Sequence, residues 1–274
     1  MKKFSIRQIV IAAVVIAGIA ALYFASIERP ARKVHPRDYA EIAAEGTLRA
    51  VMEYNALGLY ADKDTVAGFY YELVEAFARD HHIEVEVYPE MDISKRLQGI
   101  SDGTFDLVAN GIPSTSELKD TLLLTEPLIL NRLVLVQRKP VTAEDSAKYI
   151  KSQLDLAGQT VYITKAISTA KRLQNLGDEI GDTIYVKELE RYGNEQLLAL
   201  VAHGDINYAV CEENLARIVS DSLQQIDLST PVSFTQFYSW AVNKKSPALL
   251  DSLNVWILRF KQTREYRQLI DKYL

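Results

Sequence analysis

The stretch that decides the fold runs over residues 46–139. It contains Gly46-Thr47-Leu48-Arg49-Ala50-Val51-Met52, then Gly68-Phe69-Tyr70-Tyr71-Glu72-Leu73, then Gly103-Thr104-Phe105-Asp106-Leu107-Val108-Ala109-Asn110. Thr47 to Met52 predicts a short strand, and Gly68-Phe69 leads into a helix over residues 70–80. Ile83, Val85 and Val87 then alternate on one face, the period of a half-buried strand. A second helix leads into the apolar run from Phe105 to Asn110. Strands alternating with helices at this spacing predict a parallel sheet joined by crossover helices.

Working outward, Leu133-Val134-Leu135-Val136 predicts a buried strand that ends at Lys139-Pro140. A polar connection over residues 143–148 follows. A second strand–helix series then begins, with strands over 160–163, 184–186 and 206–211 and helices over 168–176 and 194–203. Gly204 stands where the second of those helices stops. The chain returns to a strand over 237–242 and closes with two amphipathic helices. Leu249, Leu253, Trp256, Ile257 and Phe260 share one face of the first; Tyr266, Leu269, Ile270 and Tyr273 share one face of the second. In open α/β sheets ligands bind beyond the carboxyl ends of strands. The positions just after Met52, Asn110, Ile163 and Cys211 are therefore the ones to watch.

With 274 residues, 48% of them hydrophobic, the chain can build two modest α/β lobes or one large domain. A net charge of −5 supplies no basic footprint for nucleic acid. The single Cys211 excludes a disulfide framework, and no Cys-x-x-Cys pair offers a metal or redox site. His35, His81, His82 and His203 are scattered, and no Gly-x-Ser-x-Gly, His-Glu-x-x-His or phosphate-loop pattern is present. At the N-terminus Lys2, Lys3 and Arg7 precede an apolar run over residues 9–25. That length spans a bilayer, and the cations before it keep the N-terminus cytoplasmic. An uncleaved membrane anchor is the expectation for residues 1–26, with a cleaved signal peptide as the alternative, and residues 27–45 are expected to be an exposed tether.

The motifs Gly46-Thr47-Leu48-Arg49, Gly68-Phe69 with Glu72-Leu73, Gly103-Thr104-Phe105-Asp106-Leu107, Thr125-Glu126-Pro127-Leu128 and Leu156-Ala157-Gly158-Gln159-Thr160-Val161 occur in one order and spacing. So does the closing segment from Ser246-Pro247-Ala248 to Tyr273-Leu274. Together they resemble the extracellular solute-binding protein family that serves polar amino acids, over residues 46–274. Within it, residues 68–73 and 92–111 are most similar to the non-catalytic N-terminal module of the membrane-bound lytic murein transglycosylases. No counterpart of the lysozyme-like domain of those enzymes follows before Leu274, so the resemblance does not imply murein cleavage. It implies the periplasmic-binding-protein-like (type II) fold, an α/β architecture of two lobes with a cleft, behind one N-terminal transmembrane or signal helix. The expected lobes are 46–136 plus 237–274 and 137–236. The chain would sit at the periplasmic face of the bacterial inner membrane, held through residues 9–25.

The resemblance also implies a site. Relatives hold an amino acid's carboxylate with an arginine in a Thr-Pro-Glu-Arg type motif, which falls here on Thr115-Ser116-Glu117-Leu118. Leucine cannot replace a bidentate guanidinium. The ammonium-binding aspartate falls on Glu212, one register step from Glu213, and Tyr70 replaces the acidic residue common after Gly-Phe. A ligand with an amine, or a muropeptide-like fragment, is thus expected in place of a free amino acid. Candidate contacts are Tyr54 and Asn55 after the first strand, Asn110 and Gly111 at the end of the central one, and Ser114 and Thr115 beyond it. In the second lobe they are Lys165, Ser168 and Thr169 at a helix start, with Glu212 and Tyr238 near the crossings. No cofactor or metal is implied. A permease or a cell-wall enzyme is the implied partner, and nucleic acid is not. Because some relatives of this fold are dehydratases with a cleft glutamate as general acid, Glu212 carries an enzymatic alternative. A third reading is a regulatory module that binds no ligand and contacts a murein hydrolase.

Overall fold

Thr47–Met52 (β1) does form a strand, and it pairs in parallel with Glu84–Pro89 (β4) and with Leu107–Pro113 (β5). Between them Phe69–His81 (α2) buries Phe69, Leu73, Val74 and Phe77, and Ile93–Asp102 (α3) buries Ile93, Arg96 and Ile100. Tyr60–Asp62 (β2) and Thr65–Ala67 (β3) make a small hairpin before α2, which the sequence reading did not anticipate. The computed structural model describes residues 34–274 except Ile167 and Arg191, so the anchor expected over residues 1–26 lies outside the described residues. Among the described residues no helix is long and apolar enough to cross a membrane.

Two sheets organise the chain. The first is six-stranded, in the order β4-β1-β5-β13-β6 with β7 attached to β13, where β6 is Leu122–Leu124, β7 is Ile129–Asn131 and β13 is Gln236–Asn243. The second is five-stranded, in the order β10-β9-β11-β8-β12. Its strands are Leu133–Arg138 (β8), Thr160–Ile163 (β9), Tyr185–Glu188 (β10), Ala209–Glu212 (β11) and Ile226–Asp227 (β12). Ser116–Thr121 (α4), Pro247–Phe260 (α9) and Arg264–Tyr273 (α10) belong to the first lobe. Ala143–Lys148 (α5), Thr169–Ile180 (α6), Asn194–His203 (α7) and Glu213–Ser220 (α8) belong to the second. The apolar faces foreseen for α9 and α10 enter the larger core, where Trp256 stacks on Phe260 at 4.4 Å and meets Phe77 edge-on at 5.5 Å.

The expected lobe boundary moves. Residues 133–136 were placed with the first lobe, but β8 pairs antiparallel with β11 and β12 in the second sheet, so the chain crosses at Asn131–Arg132. It returns between Ser233 and Gln236, where β13 begins. A strand buried on both faces reads the same in either sheet, so its partner is invisible locally.

Part of the segment expected as a tether is folded. Tyr39–Glu45 (α1) is a helix whose Ile42 is completely buried, and Arg37 is 2% exposed. The Asp38 carboxylate accepts from the Tyr39 amide at 2.8 Å and from the Leu249 amide at 2.7 Å. One side chain thereby caps two helix N-termini, α1 and α9. Asp38→Ala is expected to destabilise the protein by about 1–2 kcal/mol, as the loss of an N-cap does. Urea unfolding would check this, and an unchanged midpoint would discard the double cap.

Candidate functional site

A cavity of about 890 Å³ opens between the two sheets, within the size range of small-molecule sites. Its walls come from both lobes, at the carboxyl ends of β1, β5, β9 and β11. Two contacts bridge the lobes across its mouth: the Ala56 amide donates to Glu195 Oε1 at 2.7 Å, and Lys165 Nζ lies 3.3 Å from Asp92 Oδ1. Asp92 also caps α3 through the Ser94 amide, and that bond, with Lys165, holds its carboxyl below the usual range.

The floor is built around β5. Its register with β13 pairs Ser239 with Ile112 and Ala241 with Val108, so Ala109, Asn110 and Gly111 stand opposite Trp240 alone. Such a bulge is a common device beside binding sites. The Trp240 indole donates to the Ala109 carbonyl at 2.9 Å and pins it. Gly111 is required there because a Cβ would stand 2.0 Å from the Tyr70 hydroxyl. Asn110 Oδ1 accepts from the Glu53 amide at 2.7 Å and from Arg96 Nη1 at 2.8 Å, while Arg96 Nη2 donates to Glu53 Oε2 at 3.1 Å.

Glu212 faces this floor and Glu213 does not, which settles the register. Glu213 turns away to Arg132 and Arg217, with contacts of 2.6 Å to each, and these hold its carboxyl below the usual range. Burial, and then the charge of Glu53, pushes Glu212 up to about 8 against the opposing pull of Arg96. Tyr70 and Tyr238 are raised well above the ordinary phenol value by burial and then by Glu212. Among the described residues, only the Tyr70 hydroxyl and Arg96 Nε are buried side-chain polar atoms without a hydrogen-bond partner, and both residues line this cavity.

Of the candidate contacts in the first lobe, Tyr54, Asn55, Asn110, Gly111 and Tyr238 line the cavity. Asn55 is committed to its own turn, accepting from the Leu57 and Gly58 amides. From the second lobe Lys165, Ser168, Thr169 and Glu212 line it. Ser114 and Thr115 do not. Ser114 bonds Ser239 at 3.0 Å and Thr115 caps α4, which turns both away from the opening. Leu118 is likewise no part of the wall, being 4% exposed among Val51, Ile93, Ile100 and Val108. Leu118 leaves the motif without its arginine, but the cleft holds another, Arg96, 4% exposed in the cavity floor. A signal for it exists: Ile93, Arg96, Leu97 and Ile100 share one face of α3, and Arg96 is the single charge on that stripe. Glu53, Glu90 and Glu195 also went unforeseen as lining residues.

The model of the bacterial extracellular solute-binding proteins, family 3, matches residues 48–274. Among curated proteins, the chain is 24% identical over 234 residues to the membrane-bound lytic murein transglycosylase F of Desulfosudis oleivorans, which covers 85% of this chain and 50% of that protein. The first such relatives are matched over only 35% to 50% of their own length. Among solved structures, the amino acid ABC transporter substrate-binding protein AbpA of Streptococcus pneumoniae, bound to L-arginine, is similar with a TM-score of 0.71 at 21% identity, covering 85% of this chain and 97% of that one. The ancestral amino acid-binding protein AncCDT-1, a precursor of cyclohexadienyl dehydratase, reaches a TM-score of 0.72 at 22% identity, covering 85% and 98%. At such identities the likeness establishes the two-lobed fold.

Proposed function

Because the chain belongs to the bacterial extracellular solute-binding proteins of family 3, we propose that it captures a small solute by closing its two lobes on it, at the periplasmic face of the inner membrane. The observation that carries this reading is the cavity of about 890 Å³ whose walls come from both lobes and whose mouth is bridged by Glu195 and Lys165. Closure couples occupancy to shape, and shape is what a partner reads. A permease is one such partner. A cell-wall enzyme is the other, and the names of the curated relatives favour it. In that case the solute is muropeptide-like, or another compound bearing an amine, and the module reports on murein turnover.

The test is a thermal-shift panel on the full chain with amino acids, amines, short peptides and muropeptides. Ligand that binds only the folded state stabilises it, by about 2.7 kcal/mol at a hundred times Kd. One class is expected to raise Tm saturably and to be recovered unchanged by mass spectrometry. If none does, capture is the wrong reading. If the stabilising compound is consumed, with Glu212→Gln abolishing turnover, the dehydratase-like alternative replaces it.

A further inference from the structure

The geometry points to a cleft that selects small amines or guanidines lacking a carboxylate, because Glu53 already occupies the arginine that would hold one. This rests on the solute-capture reading and adds the charge of the solute to it.

A guanidinium receives a carboxylate bidentately along its end, through Nη1 and Nη2, or along its side, through Nε and Nη2. The end edge is engaged at both nitrogens, Nη2 donating to Glu53 at 3.1 Å and Nη1 to Asn110 at 2.8 Å, and the side edge ends on Nε, which is enclosed. Glu53 thereby sits where a ligand carboxylate would sit, covalently attached and at fixed proximity. A free carboxylate has to displace it, and the displaced Glu53 then stays in the same enclosed floor as the ligand carboxylate, two like charges against one guanidinium. Asn110 Oδ1 reinforces the arrangement by accepting from both Arg96 and the Glu53 backbone, so neither partner moves alone.

A cation meets the opposite conditions. Glu212 faces the cavity beside Tyr70, whose buried hydroxyl has no partner, and Tyr238. Tyr54, half exposed on the wall, offers a ring face to an ammonium or guanidinium. Among the described residues, Glu90, Asp92, Glu190 and Glu195 line the cavity further out, against Lys95 and Lys165. The floor is thus self-neutralised at Arg96, and Glu212 is the carboxyl left facing the cavity, whose ionised form a bound cation favours.

Matched pairs that differ only by the carboxylate isolate this property: agmatine against L-arginine, and cadaverine against L-lysine, titrated calorimetrically into the full chain. The wild type is expected to bind at least one decarboxylated member tenfold or more tighter than its amino acid. Glu53→Gln frees Arg96 and is expected to erase or reverse that preference by at least tenfold. Arg96→Gln is expected to leave amine binding in place, whereas an Arg96 that clamps the ligand would lose it. An amino acid bound as tightly as its amine by the wild type overturns the inference, whether or not Glu53→Gln folds. Equal ratios in wild type and a folded Glu53→Gln overturn it as well. Should both pairs fail while another solute of the wider panel stabilises the chain, this charge selection is wrong and solute capture stands. If nothing stabilises it, both fall.

Discussion

Asp106→Ala is expected to lower the free energy of unfolding by about 3–5 kcal/mol, the range for breaking a buried ion pair from one side. The Asp106 carboxylate is fully enclosed and serves two guanidiniums. Arg37 donates to it through Nε at 3.0 Å and through Nη2, and Arg49 donates through Nη2 and through its backbone amide, each at 2.8 Å. The side chains of Arg37 and Arg49 are only 2% and 12% exposed, so removing the anion strands Arg49 away from water and leaves Arg37 to Glu45 alone. The cluster also fastens the segment before α1 to the end of the loop that enters β5. Urea unfolding measures the loss, and a double-mutant cycle with Arg37→Met apportions it: the aspartate substitution should be milder where Arg37 is already gone. A loss under about 1 kcal/mol would place these charges in the class of exposed pairs and refute the enclosure.

The second large effect belongs to Glu212 and depends on pH. Its folded-state carboxyl is pushed from 4.5 to about 8, chiefly by burial. An acid whose pKa is raised on folding weakens the folded state wherever the unfolded chain has lost a proton that the folded chain keeps. Below pH 4.5 both states are protonated and nothing is lost; the deficit grows from there to about pH 8 and then levels off. The full shift corresponds to nearly 5 kcal/mol, and solvent in the cavity brings the expectation to roughly 2–4 kcal/mol. Unfolding of the wild type and of Glu212→Gln should be compared at pH 4.5 and pH 8.5. The wild type loses this stability relative to the variant as pH rises, and the variant is the more stable protein at the upper end. Parallel profiles for the two proteins would show that Glu212 is solvated.

Where sequence reading succeeded and failed follows from the range of the forces involved. The helix at Asn194–His203 was readable to its ends because Gly204 adopts the left-handed conformation that stops it, with φ of 92°. The strand Thr160–Ile163 was equally plain. Tyr54, Asn110, Gly111 and Glu212 were found as lining residues because the carboxyl ends of strands are where such sheets leave room. Ser114 and Thr115 stand outside the cavity because Ser114 bonds Ser239 and Thr115 caps α4, the local role such hydroxyls also favour, and Leu118, in the place of the motif's arginine, packs into the core.

The amino-acid order alone determined the alternation of strands and helices, the two-lobed family architecture and the strand ends that carry the site, since periodicity and turn chemistry act over a few neighbours. The tertiary structure decided that β8 joins the second sheet, that Asp38 caps helices more than two hundred residues apart in sequence, and that Arg96 enters the cleft already paired with Glu53. Those outcomes rest on contacts between distant segments, where the partner of a charge or a strand is set by packing, and no local pattern of residues encodes it.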